Sequence, residues 1–516
     1  MSRLPDLSKK CPILSLATSL SSFMNKLRFP QMYDCIVVGA GPAGLFYADE
    51  YLRGAVGNTI GVLDAGTSLT KRACPLVDHG SCSQCKVCLA VYGSGGAGMY
   101  SDGKLSSFPA GSGLERHFGA ADTVVGLNNH VLRTIERRVG DFGRKRSYGA
   151  QANTSELAEK TKEIGSNLKG YDVVHLGTEG IQEFCATFET ELESRGVEFL
   201  WRTRLEAISR TACGYELFCT HPRSGALTIQ ARTVVLATGK ASGTSIRKHF
   251  AAAGVVYLDN NIEMGVRVEV ARAAIDPISS CHLDAKLKFM GSNNSEIRTF
   301  CVCNGGYLVS CYYDDFNLND RICTISGFSF RDRQSDNSNF GLLVRKKFPS
   351  SVDAINLQLN FINNINRVSG HGGTVVQRYG DFLKGIATTQ QALDSNGLRS
   401  TLSSSTPVDL GWLLPGFVME SIRTGMEKLG QISPAITSED TLLHAPVWEL
   451  VHDRPVINRD FESTAPGLFI IGDATGIARG IVQAASSGVW AGRRAARQVT
   501  AAKGQAGHRP GWVEVA

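Results

Sequence analysis

From Tyr33 to Val38 the chain reads Tyr-Asp-Cys-Ile-Val-Val, an almost unbroken apolar run that stops at Gly39. A short run of this kind, closed by glycine, predicts a strand covered on both faces, as in a parallel sheet. A helical stretch follows from Pro42, and a second strand, Thr59-Ile-Gly-Val-Leu-Asp64, comes after it. Similar buried-strand patterns recur at Thr233-Val-Val-Leu236 and Gly467-Leu-Phe-Ile-Ile471, and a helix-like run follows from Ile481 to Gly492. Strands alternating with helices in this way predict an α/β fold. Between them, Gly265–Glu269 and Tyr307–Tyr312 are strand-like, and Phe417–Leu429 carries apolar residues at helical spacing, which predicts a second α+β unit.

The turn after the first strand supplies the first chemistry. Gly39, Gly41 and Gly44 stand at G-x-G-x-x-G spacing between strand and helix, and Asp64 lies twenty residues past Gly44. Gly39 makes the tight turn, Gly41 admits a pyrophosphate to the backbone, and Gly44 lets the helix lie close to the strand; Pro42 and Ala43 open the helix whose N-terminus faces phosphate. At its distance Asp64 is placed to accept both hydroxyls of a ribose. A glycine-rich turn without a ligand is the bland alternative, but strand, turn, helix, strand and acid occur here in order.

Two further signatures are weaker alone. Thr238 and Gly239 end the strand at Leu236–Ala237, and Gly472-Asp473 ends the strand at Ile470–Ile471, with Arg479, Gly480 and Ile481 leading into the last helix. Each could be no more than a buried strand ending in a turn. Taken with the first, the three resemble the signatures of glutathione-reductase-like FAD flavoproteins. That resemblance implies that Asp473 binds the ribityl chain and that the helix from Gly480 points its positive end at the flavin ring. Arg479 would add its charge there, or else pair with a surface carboxylate.

The stretches Gly93–Leu105, Met264–Glu269, Arg298–Cys303, Ser335–Phe340 and Gln377–Phe382 recur in a family of largely uncharacterised FAD-dependent dehydrogenases, which the chain resembles over nearly its whole length after residue 32. The resemblance implies a Rossmann-like FAD-binding domain over 33–258 and 445–500, discontinuous, with a Cys/Gly-rich insertion at 67–150, and a second α+β substrate or cap domain over 259–444. Residues 1–32 read as an extension and 501–516 as a tail. The glycines of Gly93–Gly98 cost backbone entropy, which a loop tolerates when its main chain must lie flat against a ligand. Gly96, Ala97 and Gly98 are therefore expected at the flavin or its pyrophosphate, with a flexible linker as the alternative. No second G-x-G-x-x-G unit is present, so NAD(P)H would bind transiently over the flavin, or an electron-carrier protein would serve.

Of 14 cysteines, four fall together as Cys74-Pro75 and Cys82-x-x-Cys85-x-x-Cys88. The run resembles the parts of a bacterial-ferredoxin site, although here the Cys-Pro precedes it; a [4Fe-4S] cluster, zinc, or plain thiols remain open. The other ten read as small buried hydrophobes, with Cys301 and Cys303 among them as ordinary packing residues not expected to share one site. His79, His371 and His444 read as structural, with no acid–base role assigned.

Composition narrows the function further. The chain has 516 residues, 43% hydrophobic and 20% charged, enough for a large core. A net charge of +6 with no basic run interleaved with aromatics disfavours nucleic acid, and no apolar segment of membrane-spanning length occurs. The first 32 residues hold five Lys or Arg against one acid, as a transit peptide would; a dispensable extension of a cytoplasmic protein is the plainer reading, with a mitochondrial or other organellar address as the alternative. Hydrolase motifs are missing. The sequence thus predicts an FAD-dependent oxidoreductase acting on a small organic substrate, with a flavin monooxygenase or a non-catalytic flavin redox sensor or binding protein as alternatives.

Overall fold

The computed structural model describes residues 32–140, 145–242, 250, 252–259, 262–291, 294–315, 320–348, 351–370, 373–449 and 453–502. His371, nearly all of the N-terminal extension and almost the whole of the 501–516 tail lie outside them.

The first sheet grows from β1 (Tyr33–Val38), α1 (Pro42–Gly54) and β2 (Ile60–Asp64). Tyr33, Cys35, Ile36 and Val37 are at most 1% exposed, which is why the run must sit inside a sheet and not at its edge. β2 and Val197–Trp201 continue the sheet in parallel on one side. On the other side lies Gly225–Leu236, whose two halves do different work. Its first half pairs antiparallel with Gly214–His221, the middle of a meander with Arg204–Thr211. Its second half lies parallel between β1 and Leu468–Ile470, so the last strand of the chain completes a sheet begun by the first.

The helix Ile481–Ala502 packs on α1 through small residues. A Cβ on Gly488 would lie 2.2 Å from the Ala43 carbonyl, one on Gly492 2.7 Å from that of Tyr47, and one on Gly54 2.7 Å from the Ala496 methyl. The two backbones can approach only because these side chains are missing.

The second sheet has eight strands, with Ile262–Ala271 at its centre between Leu442–Glu449 and Asn337–Lys346, followed outward by Glu296–Cys303 and Lys286–Met290. Helix Gly416–Ile432 covers it with Val418, Ile422, Met426 and Leu429, spaced at helical turns and all buried. Two segments fall elsewhere than the sequence divides them. Asn167–Lys169 pairs with the edge of the second sheet, and residues 445–449 lie in its middle. Ala121–Val139, inside the expected insertion, is a 19-residue helix buried along Val124, Leu127, Val131 and Ile135, and packs against the last helix. One apolar core runs through both sheets. Among the described residues no helix is long and apolar enough to cross a membrane.

Candidate functional site

A cavity of about 530 Å³ opens at the carboxyl ends of the parallel strands, where Gly39, Asp64, Ala237 and Gly472 leave the first sheet, and the second sheet forms its far wall. Ligands bind at such strand ends in open α/β sheets. The three glycines of the first turn have separate tasks. Gly39 has φ +110°, and a Cβ there would lie 2.4 Å from the Ala237 carbonyl. One on Gly44 would lie 2.0 Å from the Gly39 carbonyl, so this glycine seats α1 on β1. Gly41 is extended (φ −79°, ψ −180°), and its missing Cβ would meet only Gly96 Cα, at 3.8 Å. It faces the cavity, with Pro42 and Ala43 beside it.

Asp64 lines the cavity but is largely engaged already. Its Oδ1 accepts from the amides of Gly66 and Gly93, both at 2.8 Å, and its Oδ2 from that of Ala40 at 2.9 Å. A carboxylate offers about four acceptor sites, so one remains, on Oδ2. Asp64 thus clips the glycine turn to the Gly93 loop and keeps an acceptor site on Oδ2 at the cavity. The sequence gives no sign that two distant loops turn their amides onto it.

Arg72, which the sequence reading missed, holds that loop from below. Its buried guanidinium donates to the carbonyls of Leu89 (2.9 Å), Ser94 and Gly96 (2.8 Å). With those carbonyls turned away, Gly96, Ala97 and Gly98 lie along the cavity, and a Cβ on Gly98 would touch Ile481 at 3.4 Å and Pro42 at 3.6 Å. Thus the N-termini of two long helices and the glycine loop meet at one place. Thr238 and Gly239 line the same cavity, as do Asp473, Gly480 and Ile481.

Arg479 lies 3.3 Å from Glu263 of the second sheet and 3.9 Å from Asp473, so it is no surface pair. Arg298 and Arg345 also hold Glu263. Burial alone would raise this carboxyl, but the three guanidiniums outweigh it and hold the group well below the ordinary range.

The far wall carries charges that no motif announced. Lys104 lies 3.2 Å from Asp102 and 3.8 Å from Asp284, which Lys286 also faces at 3.8 Å. Tyr171 donates its hydroxyl to Asp284 at 2.5 Å. Burial works against the Lys104 charge, yet its two carboxylates more than offset this and raise its pKa.

Cys301 and Cys303 require a correction. The register with Asn337–Lys346 shifts between Phe300 and Cys303, and Cys301 has φ +49°. Residues two apart on a strand share a face, and with the bulge between them both sulfurs lie to one side, 3.8 Å apart. Among the described residues, the only three metal-type ligand atoms within 4.8 Å of one another belong to Asp102, Cys301 and Cys303. No three of Cys74, Cys82, Cys85 and Cys88 are so placed, which speaks against zinc among the three alternatives left open for them. A four-iron cluster holds its thiolates farther apart, and that arrangement is a separate matter. His79 is exposed, and His444 is fully buried against Glu269 at 3.0 Å, away from the cavity lining.

Residues 261–447 match the family described as FAD-dependent protein, C-terminal domain-like. An uncharacterized protein of Clostridium beijerinckii is 24% identical over 487 residues, covering 88% of this chain and 79% of that one. Among solved structures, a flavoprotein/dehydrogenase from Cytophaga hutchinsonii matches at 12% identity and TM-score 0.39, over 92% of this chain and 80% of that one. A glycine oxidase from Geobacillus kaustophilus matches at 12% identity and TM-score 0.37, over 91% of this chain and 95% of that one. The p-nitrophenol 4-monooxygenase PnpA from Pseudomonas putida DLL-E4 matches at 10% identity and TM-score 0.37, over 92% and 81%. These likenesses are distant, and no residue role is carried over from them.

Proposed function

We propose that this chain is an FAD-dependent oxidoreductase of the glutathione-reductase-like architecture, acting on a small organic molecule held between the flavin and the second sheet. The observation that carries the reading is the open side of Gly41: the one glycine of the turn whose missing Cβ meets no obstacle faces the cavity, at the N-terminus of a 13-residue helix. A backbone amide cluster there suits a pyrophosphate. The residues present fit the group. Gly41 and Pro42 would hold the pyrophosphate, Asp64 one ribose hydroxyl, Asp473 the ribityl chain, and the end of Ile481–Ala502 the ring.

When bound, FAD supplies two-electron transfer at the flavin ring. The chain's own residues place and shelter the reactants. Arg479, held by Glu263 and Asp473, sets positive charge beside the helix end, where negative charge is favoured. Lys104 and Asp284, both buried, and the half-buried Lys286 put a fixed set of charges on the substrate side, suited to a polar or anionic substrate. Trp448 lines the same wall, and its indole N–H is buried without a partner among the described residues, a donor for a bound molecule.

Anaerobic purification, absorbance spectroscopy and identification of the flavin released on denaturation test the proposal. FAD at close to one per chain, reduced on mixing with NADH, NADPH or an oxidisable metabolite, is the expected result. A colourless protein that takes up no FAD would refute it.

A further inference from the structure

The pair at Cys301 and Cys303 is built as more than packing. Both sulfurs lie against the guanidinium of Arg267, whose Nη2 is 3.5 Å from Cys301 Sγ and 3.4 Å from Cys303 Sγ. Arg267 is fully buried, and among the described residues no carboxylate lies within ion-pair distance of it. Its Nη1 and the amide nitrogen of Asn339 are buried donors with no acceptor. Room for the guanidinium is reserved: a Cβ on Gly327 would lie 1.9 Å from Arg267 Nη2. The guanidinium also donates to the neutral Asn339 Oδ1 (2.9 and 2.6 Å) and Cys301 carbonyl (2.7 Å), but a buried cation needs an anion, and of the groups it touches only the two thiols can become one. The local charges agree: among the described residues Arg267, Lys104 and Lys286 are set against Asp102 and Asp284, while the nearby Arg298 is held by Glu263, and a thiolate would reduce the remaining positive excess. Arg267 and Lys104, the two cations beside these groups, oppose a divalent metal ion at Asp102, Cys301 and Cys303.

We propose that Cys301 and Cys303 form a redox-active dithiol–disulfide pair that exchanges two electrons with the flavin bound in the adjoining cavity, an inference that rests on the FAD reading above. Cys301 lines the cavity and Cys303 lies behind it. The sulfurs must close from 3.8 Å to about 2.05 Å, a side-chain movement within reach of the bulged backbone. The balance is two thiols plus FAD giving one disulfide plus FADH2: the S–S bond forms, both S–H bonds break, the sulfurs lose two electrons, and the flavin gains them with both protons. Asp102, whose Oδ2 lies 3.4 Å from Cys301 Sγ, is placed to take the first proton. The thiol of Cys301 is lowered, chiefly by its contact with Cys303 and further by Arg267 and Lys104, while burial and Asp102 oppose this; Cys303 is raised by the same contact and by burial. The first thiolate therefore forms on the sulfur at the cavity.

The full chain is equilibrated anaerobically with mixtures of oxidised and reduced dithiothreitol, alkylated, reduced, alkylated with a heavier reagent and mapped by mass spectrometry, both with flavin and stripped of it. The heavy label is expected on Cys301 and Cys303 together, in both forms of the protein, and on neither remaining cysteine in Cys301→Ser or Cys303→Ser. Oxidised wild type is then expected to consume two more electrons per flavin than either variant in an anaerobic dithionite titration. No disulfide in either form, or a stoichiometric metal ion lost on Cys301→Ser, would overturn the dithiol. A disulfide without the extra electrons would overturn the exchange with flavin and leave the FAD reading intact. A protein that binds no flavin would end the FAD reading and the exchange together, while the mass map alone would still decide whether the pair is redox-active.

Discussion

Gly41 and Gly44 are three residues apart in one motif, and the structure assigns them opposite sensitivities. Gly41→Ala places a methyl at an extended position whose nearest neighbour is Gly96 Cα at 3.8 Å, an ordinary contact. Losing the glycine's unfolded-state freedom favours the variant by about 0.4–1 kcal/mol, and alanine is a poorer helix N-cap by a similar amount. The two offset, so flavin-free Gly41→Ala should unfold within about 0.5 kcal/mol of wild type. Its methyl nevertheless points to where phosphate oxygens must approach, and FAD binding should weaken at least about tenfold, or about 1.4 kcal/mol. Gly44→Ala sets a methyl 2.0 Å from the Gly39 carbonyl and 3.1 Å from Val37, so α1 must lift off β1. Overpacking of this kind costs about 1–3 kcal/mol or more. Denaturant unfolding of flavin-free protein, paired with titration of FAD by fluorescence quenching, separates the two effects. Equal destabilisation of both variants, or FAD affinity unchanged in Gly41→Ala, would refute the assignment.

Arg479→Ala should lower the flavin midpoint potential by more than about 15 mV, equivalent to about 0.7 kcal/mol for two electrons, while the exposed Arg223→Ala should not; dye-coupled anaerobic titration measures both. Glu50 loses solvation by burial, but His130 at 2.8 Å and Arg493 at 2.7 Å outweigh that and lower its pKa from 4.5 to about 2. Because the folded value lies below the unfolded one, its contribution is complete above about pH 5 and is lost as pH falls toward 2; Glu50→Gln should flatten the acid limb of a stability–pH profile. If Cys74, Cys82, Cys85 and Cys88 hold an iron–sulfur cluster, anaerobic protein will contain iron and acid-labile sulfide, and Cys85→Ser will lose both; neither metal nor sulfide in such protein would leave plain thiols.

What could be read in the sequence was what local pattern determines. β1, α1 and β2, the last strand and the last helix follow from apolar runs closed by glycines. The second sheet's strands around Gly265 and Tyr307 were legible for the same reason. Asp64 shows where this ends: its residue type and spacing were visible, its three amide donors were not, because Gly66 and Gly93 reach it through loop conformation. Arg72, Lys104, Asp284 and Glu263 carry no periodic signal and acquire meaning only where separate elements meet. Cys301 and Cys303 are two apart, which on a strand is one face, so their shared side was legible from spacing; the left-handed Cys301 and the register shift beside it are tertiary events that the sequence does not show.

The packing of Ile481–Ala502 on α1 ties the beginning of the polypeptide to its end, since Gly488 and Gly492 rest on Ala43 and Tyr47. During synthesis the strand Tyr33–Val38 and its glycine turn leave the ribosome long before Leu468–Ile470 and the helix that covers α1. Until more than four hundred further residues have been added, that apolar helix face is uncovered and the nucleotide turn has only part of its surroundings. The strand ends and helix ends that frame the cavity are therefore assembled only after the last strand and helix have been made, so a flavin bound there would enter a finished chain.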